Sequence, residues 1–390
     1  MSKTHFNKGL KNILMLHGGA DLYGGSKILL QTAKILFKNG FNVIVVVDSE
    51  GPLINELEKE GIIVLIAELG ILRRRYFNPR GLINRVKALF QSRKFLTDLI
   101  LKHQIDLVYS NTTSVLIGCY VAKKRELPHI WHIHEIIKNP RFFTKFISWH
   151  LNKFADKIIV VSEEVRKHWN QQVDNSKIIT IYNGLDYSNY LNSTSVLRKE
   201  LGISKEKVII GMIGRVNLWK GQKYFLEMAA KIVQKYPQSV FILVGDAYPG
   251  YEYLYEEINL FIRNNQLEAS TYNLGYRTDV PFLLASFDLF ILPSIEPDPL
   301  PTVVLEAMAS SKPVIATAHG GALEMVLNNT TGIHIPWDDA SEAISRFEWL
   351  IEDKIQRQVM GENAKTRVLS SFSQEEYEKN IINLISSSLR

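Results

Sequence analysis

Cys119 is the only cysteine in the 390 residues, so neither an internal disulfide nor a cysteine-based zinc cluster can form, and a reducing compartment suits the chain. No apolar run approaches the ~18 residues that a membrane-crossing helix needs. The polar dozen residues before the short Ile13 to Leu16 segment lack the apolar core of a secretory signal. A cytoplasmic location is therefore expected. There is no sequence repeat and no recognisable nucleic-acid recognition motif, which excludes repeat arrays and ranks nucleic acid last among partners.

With 46% hydrophobic and 22% charged residues, the chain is long enough for two domains with separate cores. Short apolar runs alternate with amphipathic stretches, which predicts a mostly parallel α/β sheet in each half. The runs of the first half are Ile13 to Leu16, Val43 to Val47, Ile62 to Ile66, Leu107 to Tyr109, Ile130 to His134 and Ile158 to Val161. Those of the second are Val208 to Ile213, Val240 to Val244, Tyr272 to Leu274, Leu289 to Leu292 and Pro313 to Ala316. The polar stretch Asn183 to Glu206, opening on Asn183-Gly184, reads as the linker. The domains expected are 1–185, 186–372 and a terminal helical segment, 373–390. Residues 1–190 carry 27 Lys and Arg against 16 Asp and Glu, whereas 191–390 carry 19 against 24. A basic first half suits an anionic partner such as a phospholipid surface, a lipid-linked phosphate or nucleic acid.

Candidate chemistry concentrates in PSIEPDPLPTVVLEAMASSKPVIATAHGGALEMV, Pro293 to Val326. Pro293 ends a buried strand, and the proline-stiffened loop after it carries Glu296 and Asp298. Thr302 then reads as the N-cap of a helix through Val303, Val304 and Glu306, whose free N–H groups favour an anion. Gly320 and Gly321 would let a ligand approach the backbone closely. Together these features point to a bound sugar nucleotide. In GMIGRVNLWKG, Arg215 and Lys220 follow a strand on a glycine-containing loop and could clamp a diphosphate. Val244-Gly245-Asp246 and Leu274-Gly275-Tyr276-Arg277 end neighbouring strands and should open on the same edge. In the first half, HGGADLYGGS places Gly24 and Gly25 at a strand-to-helix turn without the dinucleotide G-x-G-x-x-G spacing. In IWHIHE, two-residue alternation puts His132 and His134 on one face, with His134 at the carboxyl end and His132 in the core. A zinc site on this pair lacks a third ligand, so no metal is expected.

The segment Pro293 to Val326, with the Arg215–Lys220 loop, resembles the family-4 retaining glycosyltransferases, where two acids lie eight positions apart ahead of a short helix and a Pro-Val-Ile strand. The resemblance spans nearly the whole chain and is strongest from 211 to 326. It implies a GT-B architecture: two Rossmann-like domains facing an interdomain cleft, the C-terminal helix crossing back onto the first. It implies that Glu306 binds the donor ribose and that Asp298 lies against the donor sugar. Asp298 stands one methylene short of the family's glutamate, with Glu296 as the alternative first acid. Arg215 and Lys220 would bind the phosphates, aided by the Thr302 helix start. The region of Gly245, Tyr276 and Arg277 would approach the base, Gly24 and Gly25 would face the diphosphate and acceptor, and His134 would lie beside the sugar. The activity implied is retaining transfer from a UDP- or GDP-sugar to a glycan or lipid-linked acceptor, without cofactor or metal, in cell-envelope polysaccharide or lipopolysaccharide synthesis. A noncatalytic sugar-nucleotide-binding subunit, or an epimerase or hydrolase of the same architecture, is the alternative.

Two basic amphipathic segments suit an acceptor carried on an anionic membrane: Arg73–Arg75 leading into the Leu82, Val86, Leu89 and Phe90 helix, and Arg141 to Lys157, where Phe143, Phe146, Ile147, His150, Leu151 and Phe154 recur at helical spacing. Peripheral attachment at the inner face of the plasma membrane is the expectation.

Overall fold

A computed structural model describes residues 9–72, 76, 78–247 and 250–389. The chain packs as two units, Met1–Leu185 with Gln374–Arg390, and Asp186–Ser373.

The described residues of the first unit form seven parallel strands: β1 Asn12–His17, β2 Asn42–Val47, β3 Ile63–Ile66, β4 Leu107–Asn111, β5 His129–Ile133, β6 Lys157–Val160 and β7 Ile178–Thr180. Their order is β3-β2-β1-β4-β5-β6-β7. β1 pairs with both β2 and β4, so the chain reverses its direction of travel across the sheet there. Nearly every residue of the central strands is buried, which is why they read as continuous apolar runs rather than alternating ones. Leu14, Leu16, Ile44, Val46 and Val108 join Leu96, Ile100 and Val121 of the covering helices in one core.

The second unit repeats this class of architecture with β8 Val208–Ile213, β9 Ser239–Val244, β10 Thr271–Asn273, β11 Leu289–Leu292, β12 Val314–Thr317 and β13 Gly332–Ile335. The order β10-β9-β8-β11-β12-β13 is again parallel, with β8 between β9 and β11. Its core joins Ile210, Met212, Phe241 and Ile291 to Phe225, Ile232 and Phe347.

Two strands escaped sequence patterning, β7 and β13, and both are short edge strands. An edge strand has one partner and few apolar positions, so its signal is weak. The expected linker is also corrected. Residues 186–206 include the helices Ser188–Asn192 and Leu197–Glu200 and pack into the second unit, where Tyr187 and Leu197 are buried and the Ser286 hydroxyl accepts the N–H groups of Val196 and Leu197. The polar composition of the stretch concealed those anchors.

The terminal helix Gln374–Ser388 belongs to the first unit and buries Tyr377, Ile381, Leu384 and Ile385, the expected helical spacing. The Tyr377 hydroxyl lies 2.6 Å from Thr32 Oγ1 in the helix Gly24–Lys38. Among the described residues no helix is long and apolar enough to cross a membrane.

Candidate active site

In open parallel sheets, ligands bind beyond the carboxyl ends of the strands where the strand order reverses, because the flanking loops diverge there. In the second unit this point lies between β8 and β11, whose loops hold Arg215 to Lys220 and Ser294 to Asp298.

Those loops are tied together before any ligand arrives. Asn217 Oδ1 accepts the N–H groups of Trp219 (3.1 Å) and Lys220 (2.9 Å), and Gln222 Nε2 donates to the Arg215 carbonyl at 3.0 Å. Ile295 N–H donates to the Trp219 carbonyl at 2.8 Å, joining one loop to the other. The Lys220 ammonium ion-pairs with Asp298, whose second contact is the Ser294 hydroxyl at 3.3 Å. The Ser294 carbonyl accepts Thr317 Oγ1 and His319 Nε2, each at 2.7 Å. Of the two candidate acids on the loop, Asp298 meets the cation and Glu296 is exposed.

Gly320 and Gly321 have a different use from the one expected. Gly320 adopts φ +63°, and a Cβ there would lie 2.4 Å from the Asp298 carbonyl oxygen; one on Gly321 would lie 2.2 Å from that of Pro299. Gly321 N–H donates to the Asp298 carbonyl at 2.7 Å. The glycines therefore accommodate the chain's own acidic loop, and the approaching backbone is Asp298–Pro299.

The helix Thr302–Ala309 is capped by the extended Pro301 rather than by the Thr302 side chain. Pro301 supplies the carbonyl that Val304 N–H meets at 3.0 Å and lacks an N–H of its own, so Thr302 becomes the first helical residue. The N–H groups of Thr302 and Val303 precede that first bond and face outward from the helix start. One turn on, Glu306 is 2% exposed, and the Tyr190 hydroxyl hydrogen-bonds its carboxylate. Burial first, and then this carboxylate, hold the Tyr190 hydroxyl well above its usual range, so it remains a donor.

At the ends of β9 and β10, Gly245 N–H donates to the Gly275 carbonyl at 2.8 Å and Tyr276 is exposed. The Arg277 guanidinium is held between Glu200 (2.6 and 3.2 Å) and Asp279 (2.8 and 2.7 Å). Its donors are committed to these carboxylates, which makes it a strut of its loop in this structure.

In the first unit the reversal lies between β1 and β4, whose last residues are His17 and Asn111. His134 follows β5, with its Nε2 2.8 Å from Asn111 Oδ1. Asn111 Nδ2 lies 3.0 Å from His17 Nδ1 and 3.1 Å from the Gly25 carbonyl. His17 Nε2 is 2.9 Å from Ser26 Oγ, which donates to Asp21 Oδ1 at 3.0 Å. A Cβ on Gly25 would meet the His134 ring at 4.0 Å, so the glycine turn and the histidine are neighbours. Burial, then the like charge of His17, pull the His134 pKa to about 3. His132 is fully buried, its Nδ1 2.6 Å from the Tyr109 hydroxyl. Beside it, Glu135 accepts the N–H groups of His134 (3.1 Å) and Thr113 (3.3 Å), and burial raises its pKa to about 7. Among the described residues no group of three or more His, Cys, Asp or Glu could hold a metal ion.

Sequence reasoning missed Tyr190, because it lies in the supposed linker, and His17 with Asn111. The available signal was a polar residue closing each of two apolar strands: the Leu107 run continues two residues past Tyr109, to Asn111.

Comparison with known proteins gives this geometry a family. Residues 193–367 match the glycosyl transferases group 1 and residues 23–189 match glycosyltransferase family 4. The UDP-Gal:α-D-GlcNAc-diphosphoundecaprenol α-1,3-galactosyltransferase of Escherichia coli is 24% identical over 96% of this chain and 95% of its own. The N-acetyl-α-D-glucosaminyl L-malate synthase of Bacillus anthracis is 30% identical over 57% of each chain. The crystal structure of Anabaena HepE in complex with UDP-glucose superposes with a TM-score of 0.84, covering 96% of this chain and 99% of that one at 26% identity. The two parallel sheets, the returning terminal helix and these matches establish that the chain belongs to the family-4 glycosyltransferases, GT-B enzymes that use a nucleotide sugar as donor.

Proposed function

We propose that the protein is a retaining, metal-independent hexosyltransferase that takes its sugar from a UDP-sugar and delivers it to a hydroxyl of a glycan or lipid-linked acceptor in cell-envelope polysaccharide or lipopolysaccharide synthesis. The observation that carries this is the Lys220–Asp298 ion pair at the sheet reversal, followed on the same β11 segment by the Thr302 helix start and the buried Glu306. On this reading Glu306 hydrogen-bonds the ribose and Arg215 and Lys220 take the diphosphate. The N–H groups at Thr302 and Val303 face the same phosphates, Val304 N–H being held by the Pro301 carbonyl, and Gly245 with Tyr276 lies by the base. Asp298 and His134 contact the sugar, and Gly24 and Gly25 leave room for phosphate and acceptor. Charge that builds on the departing diphosphate is met by the two cations and the helix dipole, so leaving-group stabilisation needs no added ion. The 186–372 domain is the donor domain and 1–185 the acceptor domain, to which 373–390 returns. UDP is favoured as the base carrier because the HepE complex and the galactosyltransferase are UDP proteins.

A sugar diphospholipid is the acceptor class favoured by the surface of the first unit. The helix Arg141–Phe154 buries Ile147, His150 and Leu151 and turns Phe142 (69% exposed) and Trp149 (51%) outward. The helix Pro79–Lys102 does the same with Ile83 (71%) and Phe90 (66%) among Lys87, Arg93 and Lys94. Outward aromatics interleaved with cations suit the inner face of an anionic membrane. Of the stripe predicted from spacing, Ile147, His150 and Leu151 face the core and Phe146 is exposed, while Phe142 and Trp149, which that stripe did not include, complete the outward face. Arg73–Arg75, the other basic segment expected there, lies outside the described residues.

The test is product analysis with UDP-glucose and UDP-galactose, with and without a polyprenyl diphosphate sugar, in EDTA. Acceptor-dependent release of UDP with the sugar's anomeric configuration retained supports the proposal. Conversion or hydrolysis of donor without acceptor would favour an epimerase or hydrolase, and binding without turnover a noncatalytic subunit. Loss of turnover in EDTA would contradict metal independence.

A further inference from the structure

The hydrogen bonds from His134 to Asp21 can run in only one direction. The Gly25 carbonyl only accepts, so the Asn111 amide must turn its NH2 toward it and its oxygen toward His134. That oxygen only accepts, so His134 Nε2 must carry a proton. The same NH2 points at His17 Nδ1, which must therefore be the bare nitrogen, leaving His17 Nε2–H to donate to Ser26 Oγ. The Ser26 hydroxyl then donates its hydrogen bond to the Asp21 carboxylate, which also accepts Tyr23 N–H at 3.1 Å. Each donor meets an acceptor, and the chain ends on an anion.

We propose that Asn111, His17, Ser26 and Asp21 are positioning residues that hold His134 as its Nε2–H tautomer, so that Nδ1 offers a lone pair to a hydroxyl of the bound sugar. This rests on the proposed placement of His134 against the donor sugar. Among the described residues, Nδ1 has no hydrogen-bond partner. The opposite tautomer, or the imidazolium, would present an N–H there and attract a phosphate or carboxylate oxygen. The relay thus makes His134 a reader of hydroxyl groups and turns away anionic groups at that contact. The depressed His134 basicity is consistent with a ring that stays neutral.

The test has two parts on the full-length chain. Donor-free 15N-histidine spectra at pH 7, with His134 assigned by its loss in His134→Gln, report the tautomer directly and require no folding-sensitive variant in the relay. The Nε2–H form is expected; an Nδ1–H form or an imidazolium would overturn the proposal. Calorimetry with UDP and with UDP-glucose and UDP-galactose then measures the affinity that the hexose adds to UDP. In Asn111→Leu that increment should fall about tenfold, the worth of one hydrogen bond, with UDP alone binding as in wild type. Ser26→Ala should show a smaller loss of the same kind. Equal weakening of UDP and UDP-hexose would make the relay merely structural and overturn the proposal. A wild-type chain of Nε2–H tautomer that binds UDP but gains nothing from either hexose would instead overturn the placement of His134 against the sugar.

Discussion

Lys220→Met separates a phosphate-binding cation from a purely structural one. The Lys220 and Asp298 side chains are 19% and 13% exposed, between the surface pairs that contribute ~0–1 kcal/mol and the buried pairs whose breakage costs ~3–5 kcal/mol. Removing the ammonium leaves Asp298 with the Ser294 hydroxyl at 3.3 Å as its remaining side-chain partner. A destabilisation of about 1–3 kcal/mol is expected for Lys220→Met and for Asp298→Asn. The double variant should lose less than the sum, with a coupling of about 1–2 kcal/mol. Denaturant unfolding of all four proteins gives this cycle. Calorimetry with UDP adds a difference of sign. If the diphosphate takes the ammonium over from Asp298, Lys220→Met should weaken UDP by about 1.5–3 kcal/mol, the range of a charge-assisted hydrogen bond, whereas Asp298→Asn should bind UDP as well as wild type or better. Strict additivity of stability, or equal loss of UDP affinity in both single variants, would refute the argument.

Tyr190→Phe removes the hydroxyl that meets the buried Glu306 carboxylate and should weaken donor binding by about 1–3 kcal/mol, read by calorimetry with UDP-glucose. Tyr377→Phe deletes a buried hydrogen bond to Thr32 and should destabilise the first unit by about 1 kcal/mol, with donor affinity unchanged. Glu135 has its pKa raised to about 7, chiefly by burial, so the folded state holds its proton more tightly than the unfolded one. The stability this contributes is complete below the ordinary carboxylate range, near 4.5, and is lost as pH rises through 7. Glu135→Gln should therefore gain on wild type steadily between pH 4.5 and 7 in denaturation measurements; parallel curves would contradict this.

The α/β architecture was legible because strands buried on both faces leave uninterrupted apolar runs, as in Val43 to Val47, and because helix and strand alternate without long gaps. The candidate donor segment stood out in the sequence because Asp298, Glu306 and the Pro313 strand lie in one continuous stretch. What patterning could not give was contact between distant positions. Tyr190 reaches Glu306 across more than a hundred residues, and nothing in its own neighbourhood announces the partner. The same holds for His17 and Asn111, which are 94 apart in sequence and adjacent only because β1 and β4 pair. Gly320 and Gly321 were misjudged for a related reason: a glycine pair declares that something approaches closely, and only the fold shows that the Asp298 backbone is what approaches. Thr302 was set one position off because Pro301 can cap a helix with its carbonyl alone.

Calorimetric titration of UDP-glucose and UDP-galactose into wild type and Glu306→Ala tests the central claim most directly. The account predicts that the wild type binds at least one of them and that the variant loses about 2 kcal/mol or more, the worth of a charge-assisted hydrogen bond to the ribose. Equal affinity in the two proteins, or no binding by wild type, would contradict the assignment of this site to a UDP-sugar.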